Sequence, residues 1–144
     1  MKVFIRECKV NDCKDIVSLN SNEMGYEYPI EDTMKQLQRL LNDSNHKIYV
    51  AVTSDKVVGY IHANNYDLIY SPHLKNIMGI AVSSNFRKSG IGKMLLDEVE
   101  QWAKDTGAFG VRLVSGETRI GAHAFYKACG YEENKSQKNF KKMF

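Results

Sequence analysis

The sequence predicts a mixed α/β domain: one sheet, partly antiparallel and partly parallel, with helices on both faces. Three observations predict it. A strand–loop–helix–strand passage over residues 76–114 implies a parallel pair joined by a right-handed crossover. Two strand-like stretches, 47–53 and 57–63, are separated only by Ser54-Asp55-Lys56 and read as an antiparallel hairpin. Two helical stretches near the N-terminus and one near the C-terminus supply the covering layers.

In chain order, residues 2–7 alternate, with Val3 and Ile5 on one face, and read as a first strand. Asn11 or Asp12 is placed to cap a helix running to about residue 22, with Ile16, Val17 and Leu19 apolar. A connector with Gly25, Tyr26 and Tyr28 follows. A second helix after Pro29 carries Met34, Leu37, Leu40 and Leu41 at helical spacing and stops at the breaker cluster Asn42-Asp43-Ser44-Asn45. The hairpin comes next, then a loop or strand end over 64–72 with aromatics at Tyr66 and Tyr70. Residues 77–82 form a short apolar run, as a buried strand shows. From Ile91 the apolar residues Leu95, Val99, Trp102 and Ala103 recur at helical period, and Thr106-Gly107 stops that helix. Residues 111–114 read as a strand, 119–129 as a helix closed by Gly130, and the stretch from Tyr131 onward as one or two short strands.

The chain has 144 residues, 43% of them hydrophobic, which suits one domain with a real core and excludes a disordered chain. Twenty Lys and Arg against 17 Asp and Glu leave a net charge of +3, too mild to demand nucleic acid. Lys135, Lys138, Lys141 and Lys142 crowd the end, as a solvated terminal strand would show. No apolar run has membrane-spanning length, and the N-terminus lacks a signal-peptide core. Cys8, Cys13 and Cys129 show no metal spacing, so no metal is expected; they read as reduced thiols of a cytoplasmic protein.

Two constellations carry chemistry. The first is Arg87-Lys88-Ser89-Gly90-Ile91-Gly92-Lys93, between the central strand and its helix. A helix start leaves several amides without partners and carries partial positive charge. Glycines allow tight turns and close approach of a ligand. The unit therefore suits an anion such as phosphate, and Arg87, Lys88 and Lys93 add cations. An ordinary strand-to-helix turn stays open as an alternative. The loop is neither a P-loop nor a dinucleotide fingerprint, since Leu95 stands where a third glycine belongs. The second constellation is Arg119, His123 and Tyr126, spaced i, i+4, i+7 on one helix face with Ala122 beside them. A cation near a helix start is disfavoured by the dipole, and an anionic ligand would justify Arg119. Tyr126, taken alone, reads first as a core tyrosine.

Together these constellations resemble the GNAT superfamily of acyl-CoA-dependent N-acetyltransferases. The family loop Gln/Arg-x-x-Gly-x-Gly/Ala is similar to Arg87-Lys-Ser-Gly90-Ile-Gly92. The preceding strand is similar to Ile80-Ala81-Val82. The aromatic-Tyr pair before a Gly-aromatic turn is similar to Phe125-Tyr126 before Gly130-Tyr131. The resemblance covers essentially the whole chain and implies a single domain over 1–144. It implies a mostly antiparallel sheet of six to seven strands with helices on both faces, and a splayed parallel pair that binds CoA. It also implies acetyl-CoA as acyl donor, CoA as product and a homodimer in the cytoplasm. Amides of Lys88, Ser89, Gly90, Ile91, Gly92 and Lys93 would hold the pyrophosphate, with Arg87 and Arg119 as charge contacts and Ala122 nearby. Backbone groups of Ile80, Ala81 and Val82 would pair with the pantetheine amides. Tyr126 would protonate the departing thiolate, a role that suits a phenol protonated at neutral pH.

Two departures bear on the chemistry. Arg119 stands where many members have Asn, and residues 76–82 carry no carboxylate to act as base. The base is therefore sought in flanking segments, at Glu23, Glu27, His73 or Glu117. His73 is favoured by its near-neutral reference pKa. The acceptor is expected between the 23–30 connector and the 64–75 loop, against Glu23, Tyr26, Tyr28, Tyr70 and His73. The leading function is acetylation of a small-molecule primary amine by direct attack on the thioester. Protein lysine or N-terminal acetylation is the alternative, and a non-catalytic acyl-CoA sensor the alternative of another class.

Overall fold

In the computed structural model, which describes residues 2–144, regular alternation of the apolar positions builds five strands into one sheet. They are β1 (Phe4–Glu7), β2 (His46–Thr53), β3 (Lys56–Tyr66), β4 (Leu74–Val82) and β5 (Val111–Leu113), in the spatial order of the sequence. β1 to β4 pair antiparallel; β4 and β5 pair parallel. The helices are α1 (Cys13–Met24), α2 (Ile30–Leu41), α3 (Ile91–Asp105) and α4 (Ile120–Ala128). The chain forms two compact units, Met1–Leu113 and Val114–Phe144.

In the first unit the two sheet faces bury different helices. Ile16 and Leu19 of α1 and Leu37 of α2 join Ile48, Val50, Val52, Tyr60 and Ala81 in one core. On the other face Ile91, Leu95, Leu96, Val99 and Ala103 of α3 are at most 3% exposed, each large one contributing roughly 1.5–3 kcal/mol by burial. α3 approaches the sheet closely at Gly59, where an added Cβ would lie 3.4 Å from both Ile91 and Leu95 and 3.1 Å from the Ala81 carbonyl.

The mixed sheet, the hairpin and the crossover agree with the expectation. The strand number does not: among the described residues the sheet has five strands rather than six or seven, and residues 131–144 form none. That tail is exposed almost throughout, with its first amide, that of Tyr131, donating back to the Tyr126 carbonyl (3.0 Å). β3 is longer than its apolar run, because the polar residues Asn64, Asn65 and Tyr66 pair with Asn76, Lys75 and Leu74.

One irregularity positions the site. The β3–β4 register passes from His62↔Gly79 to Ala63↔Ile77, leaving Met78 as an extra residue on β4. The parallel β4–β5 ladder ends at the same point, at Ile77↔Leu113. Beyond it, the β4 edge from Met78 to Val82 has no β5 partner.

Candidate functional site

β4 leads directly into the glycine loop. Ser83 donates its amide to the Val58 carbonyl (2.8 Å), and a short 3₁₀ turn, Ser84–Phe86, follows. Arg87 is extended; Lys88 (φ 63°) and Gly90 (φ 85°) are left-handed. Glycine tolerates that conformation at Gly90, and nothing lies within 4 Å of where its Cβ would stand. Gly90 is the N-cap of α3, and no side-chain hydrogen bond closes that terminus. The first helical bond runs from the Met94 amide to the Gly90 carbonyl (3.0 Å). The sequence from Arg87 to Lys93 therefore folds into an open, amide-rich helix start carrying cations, as phosphate binding needs. Lys93 also bonds Asp97 along the helix (3.0 Å).

Glu23, an expected acceptor residue, is held by this loop. Arg87 Nη2 donates to Glu23 Oε1 (2.7 Å), and the Ser84 amide donates to Glu23 Oε2 (3.1 Å). Glu23, Ser83, Asn85 and Phe86 also line a cavity of about 130 Å³ between α1 and the turn. Upstream, the unpaired β4 edge carries the backbone groups of Ile80, Ala81 and Val82; Ala81 is buried, the other two half-buried.

The remaining acceptor candidates are distributed. Tyr26 (65% exposed) and Tyr28 (55%) stand on the α1–α2 connector and Tyr70 (81%) on the β3–β4 loop. His73 makes two contacts: Nδ1 with Asp67 Oδ1 (2.7 Å) and Nε2 with Lys75 Nζ (3.1 Å). Lys75 is 2% exposed, bonds Asn65 Oδ1 (2.5 Å) and lies 4.0 Å from the Trp102 ring centre. Burial pushes its pKa down, against the charge of Asp67.

Sequence reasoning missed a polar row on the opposite face of the sheet. His46, Asn64, Asn76 and Arg112 are consecutive cross-strand partners on β2, β3, β4 and β5. His62, two residues from Asn64, shares their face, and its Nε2 lies 2.9 Å from His46 Nδ1. Burial first, then the His46 charge, push His62 down to about 4. The signal is present as polar residues in a strand period, in a stretch from Asn64 onward that the sequence leaves open between loop and strand end.

In the second unit, Arg119 is the N-cap of α4 rather than a member of its face, and its carbonyl accepts the His123 amide (3.0 Å). His123 Nε2 contacts the Gly116 carbonyl (2.8 Å), a brace within the same unit. Ala122 is half-buried and Tyr126 is 8% exposed. Tyr126 packs its ring against Phe125 (5.4 Å between centres) and Tyr131 (6.2 Å). Burial raises its pKa, Arg119 opposes and Cys129 adds to the rise. No cluster capable of holding a metal ion occurs among the described residues, and no helix there is long and apolar enough to cross a membrane.

The sequence model of the Acetyltransferase (GNAT) family matches residues 13–131. Over 108 residues the chain is 28% identical to an aminoglycoside N(6')-acetyltransferase type 1 of Stenotrophomonas maltophilia, covering 72% of this chain and 71% of that protein. It is 30% identical over 144 residues to an N-alpha-acetyltransferase of Sulfolobus acidocaldarius, covering 94% and 83%. The match spans less than half of some other relatives, including the human N-acetyltransferase 8. Among solved structures the fold is similar to that of AAC(6')-Iy in complex with the bisubstrate analogue CoA-S-monomethyl-acetylneamine, with a TM-score of 0.88 at 18% identity over the whole of both chains. With the family's sequence model matching residues 13–131 and a relative 30% identical across 94% of the chain, this chain belongs to the GNAT family of acyl-CoA-dependent N-acetyltransferases.

Proposed function

We propose that this protein transfers an acetyl group from acetyl-CoA to the primary amine of a small molecule. The carrying observation is the loop at the α3 N-terminus, with Arg87, Lys88 and Gly90 opening directly off an unpaired strand edge. The fit is chemical on both counts: amides and cations for a pyrophosphate, and free strand groups for a peptide-like arm. Acetyl-CoA supplies the activated acyl group. The Lys88–Lys93 amides and Arg87 bind the phosphates, with Arg119 as a second charge contact. The Ile80 and Val82 backbone orients the arm.

In the transfer, the amine nitrogen bonds to the thioester carbon, the carbon–sulfur bond breaks and its electron pair leaves with sulfur. Tyr126 delivers its hydroxyl proton to that sulfur. The acceptor's surplus proton leaves through His73 or through water. One observation favours water: the His73 Nε2 lone pair already faces Lys75 Nζ at 3.1 Å. Exposed Tyr26, Tyr28 and Tyr70 are the apolar surface an acceptor would cover.

Names of relatives favour a small-molecule amine, and the Sulfolobus similarity favours a second reading, a polypeptide N-terminus. A cytoplasmic homodimer belongs to the same proposal, with exposed Phe140, Met143 and Phe144 as surface a second copy would cover. A screen of amines and peptides, read by thiol release, tests the activity and separates the two readings. Light scattering tests the dimer.

A further inference from the structure

The polar row His46–Asn64–Asn76–Arg112 carries information about the acceptor. Its members are ordered among themselves: Arg112 Nη1 donates to Asn76 Oδ1 (2.6 Å), and Asn76 Nδ2 donates to Asn64 Oδ1 (3.2 Å) and meets Met78 Sδ (3.1 Å). The Arg112 guanidinium lies 4.2 Å from the Tyr66 ring centre, so its plane is held by stacking and one hydrogen bond. All four members are half-buried. Yet among the described residues Arg112 has no carboxylate partner: its ion pairs are absent where Arg6, Lys47, Arg87 and Lys93 each have one. At the β2 end of the row, His46 lies 3.9 Å from the Asp43 carboxylate. Three strand spacings, about 14 Å, separate that end from Arg112.

The location gives the cation its meaning. Asn76↔Arg112 is the last register pair but one before the parallel strands part at Ile77↔Leu113, beside the Met78 bulge. The free β4 edge runs from that point to the phosphate loop, about 13 Å at ~3.3 Å per residue. A donor anchored on the loop and laid along this edge ends where the strands part. α3 covers the other face of the sheet there, with Trp102 4.0 Å from Lys75 Nζ, whereas Met78, on the free edge, is 56% exposed. An acceptor reaching the end of the edge meets the row first.

We infer that Arg112, held by Asn76 and Tyr66, binds an anionic group on the acceptor, so that the preferred substrate is an amine bearing a carboxylate, as an amino acid does, rather than a polycationic aminosugar. A half-desolvated guanidinium with only neutral partners gains a charge-assisted, bidentate contact from a carboxylate and repels added cations. This inference rests on the acetyl-CoA reading above.

The test measures binding by calorimetry to protein saturated with CoA, using L-amino acids, the corresponding carboxamides and the aminosugar neamine. Acetylation rates of the same panel are read in parallel. The expected result is at least one amino acid bound about tenfold or more tighter than its carboxamide, with neamine weaker than both. Arg112→Gln should remove that gap and Arg112→Lys should keep part of it, while both variants bind CoA within about twofold of wild type, which reports an intact fold. Equal affinity for acid and amide, preference for neamine, no binding of any carboxylate-bearing amine, or a gap that survives Arg112→Gln would each overturn the inference. In those cases CoA binding by the wild type leaves the acetyltransferase reading standing. A wild type that binds no CoA overturns both.

Discussion

The carboxylate of Glu23 occupies the guanidinium of Arg87 at 2.7 Å and takes the Ser84 amide with its other oxygen at 3.1 Å. The last turn of α1 is thereby fastened to the phosphate loop, two residues before the left-handed Gly25 that ends the helix. The carboxylate takes two donors that the proposed phosphate site would otherwise offer to its ligand. Arg87 is 59% exposed at its side chain, so the pair contributes only about 0–1 kcal/mol after solvent screening.

Competition of that kind has a sign. Glu23→Gln keeps an oxygen for the Ser84 amide but removes the charge, so CoA should bind a few-fold tighter at low ionic strength. The gain should fade toward 1 M salt, where the screening length falls to about 3 Å. Calorimetry at two salt concentrations checks it. Weaker binding at low salt would mean that Glu23 organises the loop more than it blocks it.

Gly90 has a left-handed φ of 85° at the N-cap of α3. Gly90→Glu places a strained residue there, at a cost of about 1–2 kcal/mol, and puts a negative charge in the anion site. Gly92→Glu, in the first turn, does the second without the left-handed strain. Both variants should stay folded by circular dichroism and lose measurable acetyl-CoA binding. Undiminished calorimetric affinity in a folded variant would sink the assignment of the loop.

Tyr126 should act in the transition state and not in cofactor binding. Tyr126→Phe is expected to lower kcat by roughly 10²–10⁴-fold while CoA affinity stays near wild type. Burial raises the hydroxyl pKa above its ordinary value near 10, so the required protonated form persists through neutral pH. Loss of activity from its ionisation belongs only to the alkaline limb. A variant with full turnover in a chemistry-limited assay assigns the proton to another donor.

Periodicity made the helices and the parallel crossover legible. The 91–105 helix was readable residue by residue, because its apolar positions follow one face. The loop at 87–93 was legible as a strand-to-helix turn because its glycines stand between an apolar run and a helical period. Arg112 and the two histidines were not: cross-strand neighbours such as Asn76 and Arg112 lie 36 positions apart in sequence and meet only once register is set. Glu23 was seen as a free acid for the same reason, its partner being 64 positions away. Lys75 falls in the expected 64–75 loop, whereas it lies on β4 with its ammonium against Trp102.

His73 allows a direct choice between proton routes. Asp67 accepts from or pairs with Nδ1, and Lys75 Nζ lies against Nε2. His73→Ala should leave the pH profile of kcat/KM unchanged, because the lone pair is already engaged. It should lower Tm, because the buried Lys75 loses a partner. Loss of the acidic limb of the profile, with Tm unmoved, would instead make His73 the base.

His62 should make folding stability depend on pH in a defined window. Burial, with the His46 charge second, pushes it from about 6.5 in the unfolded chain down to about 4 in the fold. Between those values the unfolded chain binds a proton that the native protein does not, so stability rises with pH there and falls on acidification. The loss from pH 6.5 to pH 4 should reach roughly 3 kcal/mol, and the group's slope fades out about one pH unit above 6.5. Asp12 has the same sign but a lower window. Burial raises its pKa, but the Arg6 hydrogen bonds (2.8 Å each), the Lys9 amide and the Arg6 charge together hold it below the usual carboxylate value, so its stabilisation is lost only below about pH 4. Urea unfolding at pH 7.5, 5.5, 4.5 and 3 separates the two. His62→Gln, which cannot titrate, should flatten the slope between pH 6.5 and 4 and leave the steeper fall below pH 4 in place. An unchanged slope in that variant would assign the window to another group.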